Sequence, residues 1–449
     1  MQYRRHDTIA ALATPPGSGA VAIVRLSGPV ARAIAAQLAG VDPRPRYAEL
    51  CTFRAADGER LDQGLLLYFP APRSYTGEDV VELHGHGGRV VSDALLARAY
   101  ALGARPAEPG EFTLRAFLND KLDLLQAEAV ADLVASGSSQ AARAALRSLD
   151  GEFSSAVREL QAGLTELRVR IEAWLDFPED ELAFDAGAQS AAAIDALLAR
   201  LAALTARAQD GATLRDGLSV AIAGPPNAGK SSLLNRLAGY DAAIVTEIPG
   251  TTRDPLREQL TLDGLPVSIV DTAGLRESSD PVEQEGLKRA RKEVGRADRV
   301  LWVVDVREPL DAHIAAAREA IGPGIPFTLV RNKVDLADAR GAATELGDVH
   351  VLRLSALTGT GVDLLVAHLK TLAGWSGEVA GTFSARRRHL DALERARNSL
   401  VAASAELDGA LELAAEELRA AQTALSELTG ELTSDDLLGE IFATFCIGK

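Results

Sequence analysis

Between an apolar run at 218–223 and a helical pattern at 231–237, the chain reads Gly224-Pro225-Pro226-Asn227-Ala228-Gly229-Lys230-Ser231. A Gly-x-x-x-x-Gly-Lys-Ser sequence in that position leaves few folds open. Its glycines let successive backbone N–H groups turn toward an anion, and the helix behind them presents its positive end to the same point. Both conditions are met where a strand of an α/β sheet runs directly into a helix, so the motif predicts a phosphate-binding loop in such a domain. There Lys230 reaches the outer phosphates and Ser231 ligates Mg2+, with Asn227, Ala228, Gly229 and Ser232 completing the loop.

Further motifs stand at the ends of later predicted strands. Asp271-Thr272-Ala273-Gly274 follows 266–270. Asp271 would hold the Mg2+ shell, and the Gly274 N–H would sense a γ-phosphate and release the next loop once it is gone. Asn332-Lys333-Val334-Asp335 follows 327–330. A carboxylate at Asp335 accepts from the N1–H and exocyclic amine of guanine, which adenine does not offer, and the wrong base would leave buried acceptors unpaired. Ser355-Ala356-Leu357, after 350–354, suits a backbone contact to guanine O6. In this order the motifs make GTP the expected ligand. Pro249-Gly250-Thr251-Thr252-Arg253-Asp254 supplies Thr252 as the expected Mg2+ ligand of the first switch. Leu275 stands where many GTPases carry a water-positioning glutamine, so hydrolysis requires a polar group from the acidic loop 277–285 or a second cation.

The 449 residues exceed one ordinary core and imply roughly two to four domains. Residues 1–118 mix β-like runs (8–13, 20–26, 65–69) with helical stretches and predict an α+β domain. Long Ala-, Leu- and Glu-rich helical patterns follow in 119–215, at 124–149, 153–175 and 191–208. Strands and helices alternate in 216–373, as in a doubly wound sheet, and helical composition returns in 374–449. The expected fold is therefore multidomain α+β and α/β, with a P-loop domain, its two ends close together in space, inserted into one discontinuous helical domain. A formal charge of −16 opposes long-range attraction to a polyphosphate backbone, and 4% aromatics leave little for a base-stacking platform. Two cysteines, Cys51 and Cys446, form neither a disulfide framework nor a zinc spacing. With no signal-peptide pattern and no apolar run of about 18 residues, the reading is cytoplasmic with no membrane contact. The run Arg386-Arg387-Arg388-His389 reads as a solvated helix start.

Three stretches make the chain resemble the MnmE (TrmE) family of tRNA-modification GTPases. They are Ser74-Tyr75-Thr76-Gly77-Glu78-Asp79-Val80-Val81-Glu82-Leu83-His84-Gly85-His86-Gly87-Gly88, the GTPase motifs with Gly250-Thr251-Thr252-Arg253-Asp254, and the terminal Cys446-Ile447-Gly448-Lys449. The resemblance implies potassium stimulation, with Asn227 giving a side-chain oxygen to K+ and Thr246, Ile248 and Thr251 wrapping it, in a switch that also includes Glu247, Pro249 and Gly250. It selects Glu283 as the catalytic glutamate, whereas spacing alone leaves Glu277, Glu283 and Glu285 open. It further implies a folate-binding, dimerising N-terminal domain for a 5-formyl- or methylene-tetrahydrofolate type carrier, contacted by Arg25, Glu82, Lys121 and Lys449. Cys446 is a candidate nucleophile with no base beside it in sequence.

By the same resemblance the chain would form a homodimer, and a heterotetramer with an MnmG-type flavoprotein that carries the FAD. Together they would add an aminomethyl or carboxymethylaminomethyl group at C5 of a tRNA wobble uridine. A ribosome-assembly GTPase switch acting as a binding module is the alternative; it calls for an appended RNA-binding domain, and the sequence offers neither a KH-like loop nor an aromatic sheet. A dynamin-like scaffold calls for a membrane-inserting amphipathic element, which the sequence does not supply.

Overall fold

The computed structural model describes residues 7–176, 183–240, 257–271, 297–322, 324–337, 340–375, 381–407, 409–432 and 434–448. Its elements, in chain order, begin with β1 (Ile9–Leu12), β2 (Val21–Ser27), α1 (Ala31–Ala39), β3 (Glu49–Arg54), β4 (Arg60–Phe69), β5 (Val80–His86), α2 (Arg89–Ala101), β6 (Arg105–Pro106) and α3 (Glu111–Leu118). Four helices follow: α4 (Leu124–Ala135), α5 (Ser139–Leu149), α6 (Glu152–Asp176) and α7 (Ala183–Asp216). The P-loop region holds β7 (Leu218–Ala223), α8 (Lys230–Ala238), β8 (Arg257–Leu262), β9 (Leu265–Asp271), β10 (Arg299–Asp305), α9 (Leu310–Ile321), β11 (Phe327–Asn332), β12 (Ala342–Leu346), β13 (Val349–Arg353) and α10 (Val362–Leu372). The chain ends with α11 (Arg387–Glu406), α12 (Leu411–Thr429) and α13 (Asp435–Ala443).

Contacts divide these elements into two compact units. One comprises Met1–Val134, Leu146–Leu204 and Asp391–Lys449, the other Ala135–Ala145 and Thr205–Leu390.

In the first unit a sheet runs in the order β3-β4-β5-β2-β1-β6, antiparallel except for β1 beside β6. Alternation along β2 and β4 buries Val24, Leu26, Leu66 and Tyr68 against Ile34 and Leu38 of α1 and Leu95 and Ala99 of α2. Helix α6 packs antiparallel to α12, with Gln161 Nε2 donating to Ser426 Oγ at 3.0 Å and Arg168 Nη1 to Gln422 Oε1 at 2.6 Å. Ile441, Phe442 and Phe445 bury against Leu114 of α3 and Leu124 of α4, so the chain's end is folded onto its N-terminal region.

The second unit is a doubly wound sheet in the order β12-β13-β11-β10-β7-β9-β8, parallel from β13 to β9 with antiparallel edges. Leu233, Leu234 and Leu237 of α8 and Leu365 and Leu369 of α10 cover one face, and Ala317 and Ile321 of α9 the other. Burial on both faces explains why its strands read as unbroken apolar runs. Thr213 Oγ1 donates to Ala373 O at 3.1 Å, so the chain enters and leaves this sheet at neighbouring points. The contact division does not coincide with the expected limits at 216 and 373. The last turns of α7 hold the returning segment, where Arg207 Nε donates to Gly381 O at 2.8 Å and stacks 4.7 Å from the Phe383 ring.

Two sequence expectations are corrected. The helix expected over 124–149 is two helices, because Ser138 Oγ accepts from Ala141 N at 3.1 Å and starts α5 afresh after Gly137. His389, expected in a solvated run, is 2% exposed, and its Nδ1 accepts from Arg386 N at 3.0 Å, capping α11 from within.

Arg115, fully buried, pairs with Asp7 at 2.6 Å, Glu111 at 3.0 Å and Glu78 at 3.0 Å. Burial works against the Glu111 carboxylate, yet the Arg105 and Arg115 guanidiniums hold its pKa below the ordinary value, and the same pair lowers Asp7. Depressed folded-state pKa values mean that this stabilisation is present above the unfolded carboxylate range and lost as pH falls below it. Arg115→Met should cost about 3 kcal/mol at neutral pH, because three carboxylates lose a buried guanidinium and only Asp7 and Glu111 keep Arg105. Chemical denaturation across pH should also show a shallower acid slope than in the wild type.

Candidate functional site

The phosphate loop leaves the C-terminal end of β7 and enters α8 without an intervening residue. Gly224 has φ 138°, and a Cβ there would lie 2.1 Å from Val303 O on β10, so only glycine passes between the strands. Gly229 has φ 93°, with room for a Cβ blocked by Asn332 Nδ2 at 2.3 Å. Asn227 adopts a left-handed φ of 62° without being glycine. Its side chain is exposed and makes no hydrogen bond among the described residues, nor does Ser231 Oγ. Lys230 Nζ curls back to donate to Gly224 O and Pro225 O, each at 2.8 Å. No side chain caps α8, which leaves its first amides to an anion.

Asn332 joins three of the motifs. It is 2% exposed, donates from Nδ2 to Ala228 O at 2.9 Å, and accepts at Oδ1 from Lys333 N at 2.8 Å and Ala356 N at 2.9 Å. Ser355 Oγ donates to Asp335 Oδ1 and accepts from Thr358 N at 3.1 Å, which orients the carboxylate expected to read guanine. Leu357 is 74% exposed.

Asp305, absent from the sequence reading, ends β10 directly beside Asn332 and lies 3.1 Å from Lys333 Nζ. The Arg307 guanidinium holds its carboxyl far below the ordinary range against the opposing effect of burial, and Lys333 adds to it. Its place at the end of the apolar run 300–304 was the available signal in the sequence.

Asp271 ends β9 opposite Ile222 of β7, next to the start of the loop. Ser231 and Ser232 lie in the first turn of α8. Thr246, Glu247, Ile248, Pro249, Gly250, Thr251, Thr252, Thr272, Ala273, Gly274, Leu275, Glu283 and Lys449 lie outside the described residues.

The N-terminal candidates converge on adjacent strands. Arg25 and Glu82 are cross-strand partners on β2 and β5, and Arg25 Nε donates to Glu82 Oε1 at 3.0 Å. Arg25 also lies over the rings of Tyr75 at 5.7 Å and Phe112 at 5.8 Å, and its Nη1 donates to Gly448 O at 3.4 Å. Gly448, at φ 97°, approaches so closely that a Cβ would lie 2.2 Å from Leu12 O. His84 Nε2 meets Glu82 Oε2 at 3.0 Å, and this contact, with Arg25 and against burial, keeps Glu82 ionised below its ordinary pKa. Lys121 Nζ donates to Pro72 O at 3.2 Å on the loop that carries Tyr75. Cys446 is exposed, and its backbone oxygen accepts from Gly110 N at 3.3 Å.

A phosphate loop braced by an Asn-Lys-x-Asp motif at the C-terminal edge of a doubly wound sheet places the second unit in the P-loop GTPase class. The chain also matches the family models for the GTP-binding protein TrmE N-terminus over residues 8–121 and for the MnmE helical domain over 124–446. It is 57% identical to the tRNA modification GTPase MnmE of Alkalilimnicola ehrlichii over 444 residues, covering 98% of this chain and 99% of that one. Identity is 54% over 448 residues with the MnmE of Nitrosococcus oceani, with 99% and 98% covered, and 53% over 450 residues with that of Sodalis glossinidius, with 99% of each covered. The chain belongs to the MnmE family of tRNA modification GTPases. It is accordingly a GTP hydrolase that acts in tRNA modification, with GTP and Mg2+ as its nucleotide and metal. No helix of the described residues is long and apolar enough to cross a membrane.

Because buried Asn332 ties the phosphate loop to the Ser355-Ala356-Leu357 loop, Asn332→Ala should weaken GDP binding at least about tenfold, since buried partners lose their hydrogen bonds. Titration with a fluorescent guanine nucleotide measures it; unchanged affinity would show that backbone packing suffices to align the two loops.

Proposed function

We propose that this chain is a potassium-stimulated GTPase that uses a folate one-carbon carrier, and acts with an FAD-dependent MnmG-type partner, to build an aminomethyl or carboxymethylaminomethyl group at C5 of a tRNA wobble uridine. The observation that carries this reading is the meeting of Arg25, Glu82 and the penultimate Gly448 in one cluster. A guanidinium suits the glutamate tail of a folate, and a carboxylate suits the donor edge of a pterin ring, which resembles guanine. Lys121 and Lys449 would add cations to the same ligand. Folding of the Cys446-Ile447-Gly448 segment against this cluster gives the thiol of Cys446 its reading as a nucleophile in the modification step. The domain reading follows the same lines: 1–118 for folate and dimerisation, 216–373 for GTP, and 119–215 with 374–449 for the split helical domain.

In the GTPase centre Lys230 would exchange its loop carbonyls for phosphate oxygens, and Asp335 with the Ser355-Ala356-Leu357 loop would hold the base. Ser231, Thr252 and Asp271 would hold Mg2+. The side-chain amide of Asn227, with Thr246, Ile248 and Thr251, would hold K+. When bound, K+ supplies positive charge where charge develops on the transferring phosphate, the place an arginine finger takes elsewhere. Glu283 would position the attacking water through a second water, a task Leu275 cannot perform. tRNA binding shared with the flavoprotein accommodates the −16 formal charge.

Steady-state hydrolysis should be at least about tenfold faster in K+ than in Na+ at equal ionic strength, in line with a charge placed against the transition state. Equal rates would remove the cation reading of Asn227. Calorimetry with 5-formyl-tetrahydrofolate should give a binding isotherm that Arg25→Ala weakens by about tenfold or more, as loss of a charge-assisted pair requires. An intact chain that releases no heat would mean that the Arg25–Glu82 pair is purely structural.

A further inference from the structure

Arg236 lies in the last turn of α8, where a cation complements the negative end of the helix. It is half-buried rather than solvated. Its Nε donates to Ala356 O at 2.9 Å and its Nη2 donates to Leu357 O. Two successive carbonyls of the Ser355-Ala356-Leu357 loop are thus held by the helix that begins with Lys230. The Leu357 side chain itself, 74% exposed, is not packed into the core.

Holding these carbonyls has a consequence for the opposite edge of the chain. In a trans peptide the C=O and the N–H point in opposite directions. Drawing Ala356 O toward α8 therefore turns the Leu357 N–H, which belongs to the same peptide, away from it. The neighbouring donors are already committed, Ala356 N to Asn332 Oδ1 at 2.9 Å and Thr358 N to Ser355 Oγ at 3.1 Å. The Leu357 N–H has no hydrogen-bond partner among the described residues.

We propose that Arg236 is a positioning residue for base recognition, clamping the 356–357 carbonyls so that the Leu357 N–H is presented to O6 of guanine. It makes the base loop an extension of the phosphate-loop helix, with Asn332 bracing the loop from inside and Arg236 from outside. The inference rests on the reading of Ser355-Ala356-Leu357 as the guanine loop.

The test uses the full-length chain and compares GDP with 2-aminopurine riboside diphosphate, which lacks both O6 and the N1–H read by Asp335, so that the effect of Arg236 is taken from the change between wild type and variant on each nucleotide. Wild type, Arg236→Ala and Arg236→Lys are measured for nucleotide dissociation rate, kcat at saturating GTP, and melting temperature without nucleotide. Arg236→Ala should release GDP about tenfold faster, as expected for a loosened hydrogen bond to a buried base. It should bind the analogue as the wild type does, so that the preference for GDP narrows, with kcat and melting temperature unchanged. Arg236→Lys, which restores one donor, should fall between the two. An unchanged preference for GDP overturns the proposal, as does an equal loss for both nucleotides accompanied by a lower melting temperature, which would mark Arg236 as a support of the fold. A wild-type chain that does not distinguish GDP from the analogue would instead overturn the guanine-loop reading itself.

Discussion

The side-chain amide of Asn332 is the contact on which the GTPase centre depends. An amide carries donors and an acceptor at opposite ends of one plane, and here both ends are used between loops from three strands. At 2% exposure water cannot substitute for any of those partners, so the phosphate loop and the base loop are held as one body. Gly229 is constrained by the same side chain, since any Cβ there would displace Asn332 Nδ2. A glycine in the phosphate motif thus answers to a residue in a different motif.

The N-terminal unit follows a parallel logic with charge in place of neutral amides. Arg25 is held by a cross-strand carboxylate and two aromatic rings, and one of its remaining donors reaches the end of the chain. Glu82 stays ionised because His84 and Arg25 both point at it, although burial opposes the charge. The terminal segment can reach this site because Ile441, Phe442 and Phe445 supply the apolar contact that fixes α13 on α3 and α4. Close approach of Gly448 to Leu12 completes the placement.

Much of this was legible beforehand, for physical reasons. Parallel strands buried on both faces show as apolar runs, and 218–223, 266–270 and 327–330 fall on β7, β9 and β11. The edge strand β12 escaped because four of its five residues are exposed and no apolar alternation marks it. The division between α4 and α5 escaped because the Ala-rich pattern continues across Ser136-Gly137-Ser138, and only a local cap breaks it. Asp305 escaped because a single carboxylate at a strand end has no motif of its own.

By itself the sequence determined the chemical inventory and its order along the chain: a loop for phosphate, a carboxylate for guanine, a family-specific Cys-Ile-Gly-Lys end. These rest on local rules, namely backbone freedom at glycine, donor and acceptor types, and the period of apolar residues. Only the tertiary structure decided which of those parts touch. It joined Asn332 to Ala228 and Ala356, Arg236 to the base loop, and Arg25 to Gly448. Apart from Asn332 and Ala356, 24 positions apart, these contacts join residues separated by more than a hundred positions along the chain. Their formation depends on strand order and on helices packed across a sheet, which no local pattern encodes.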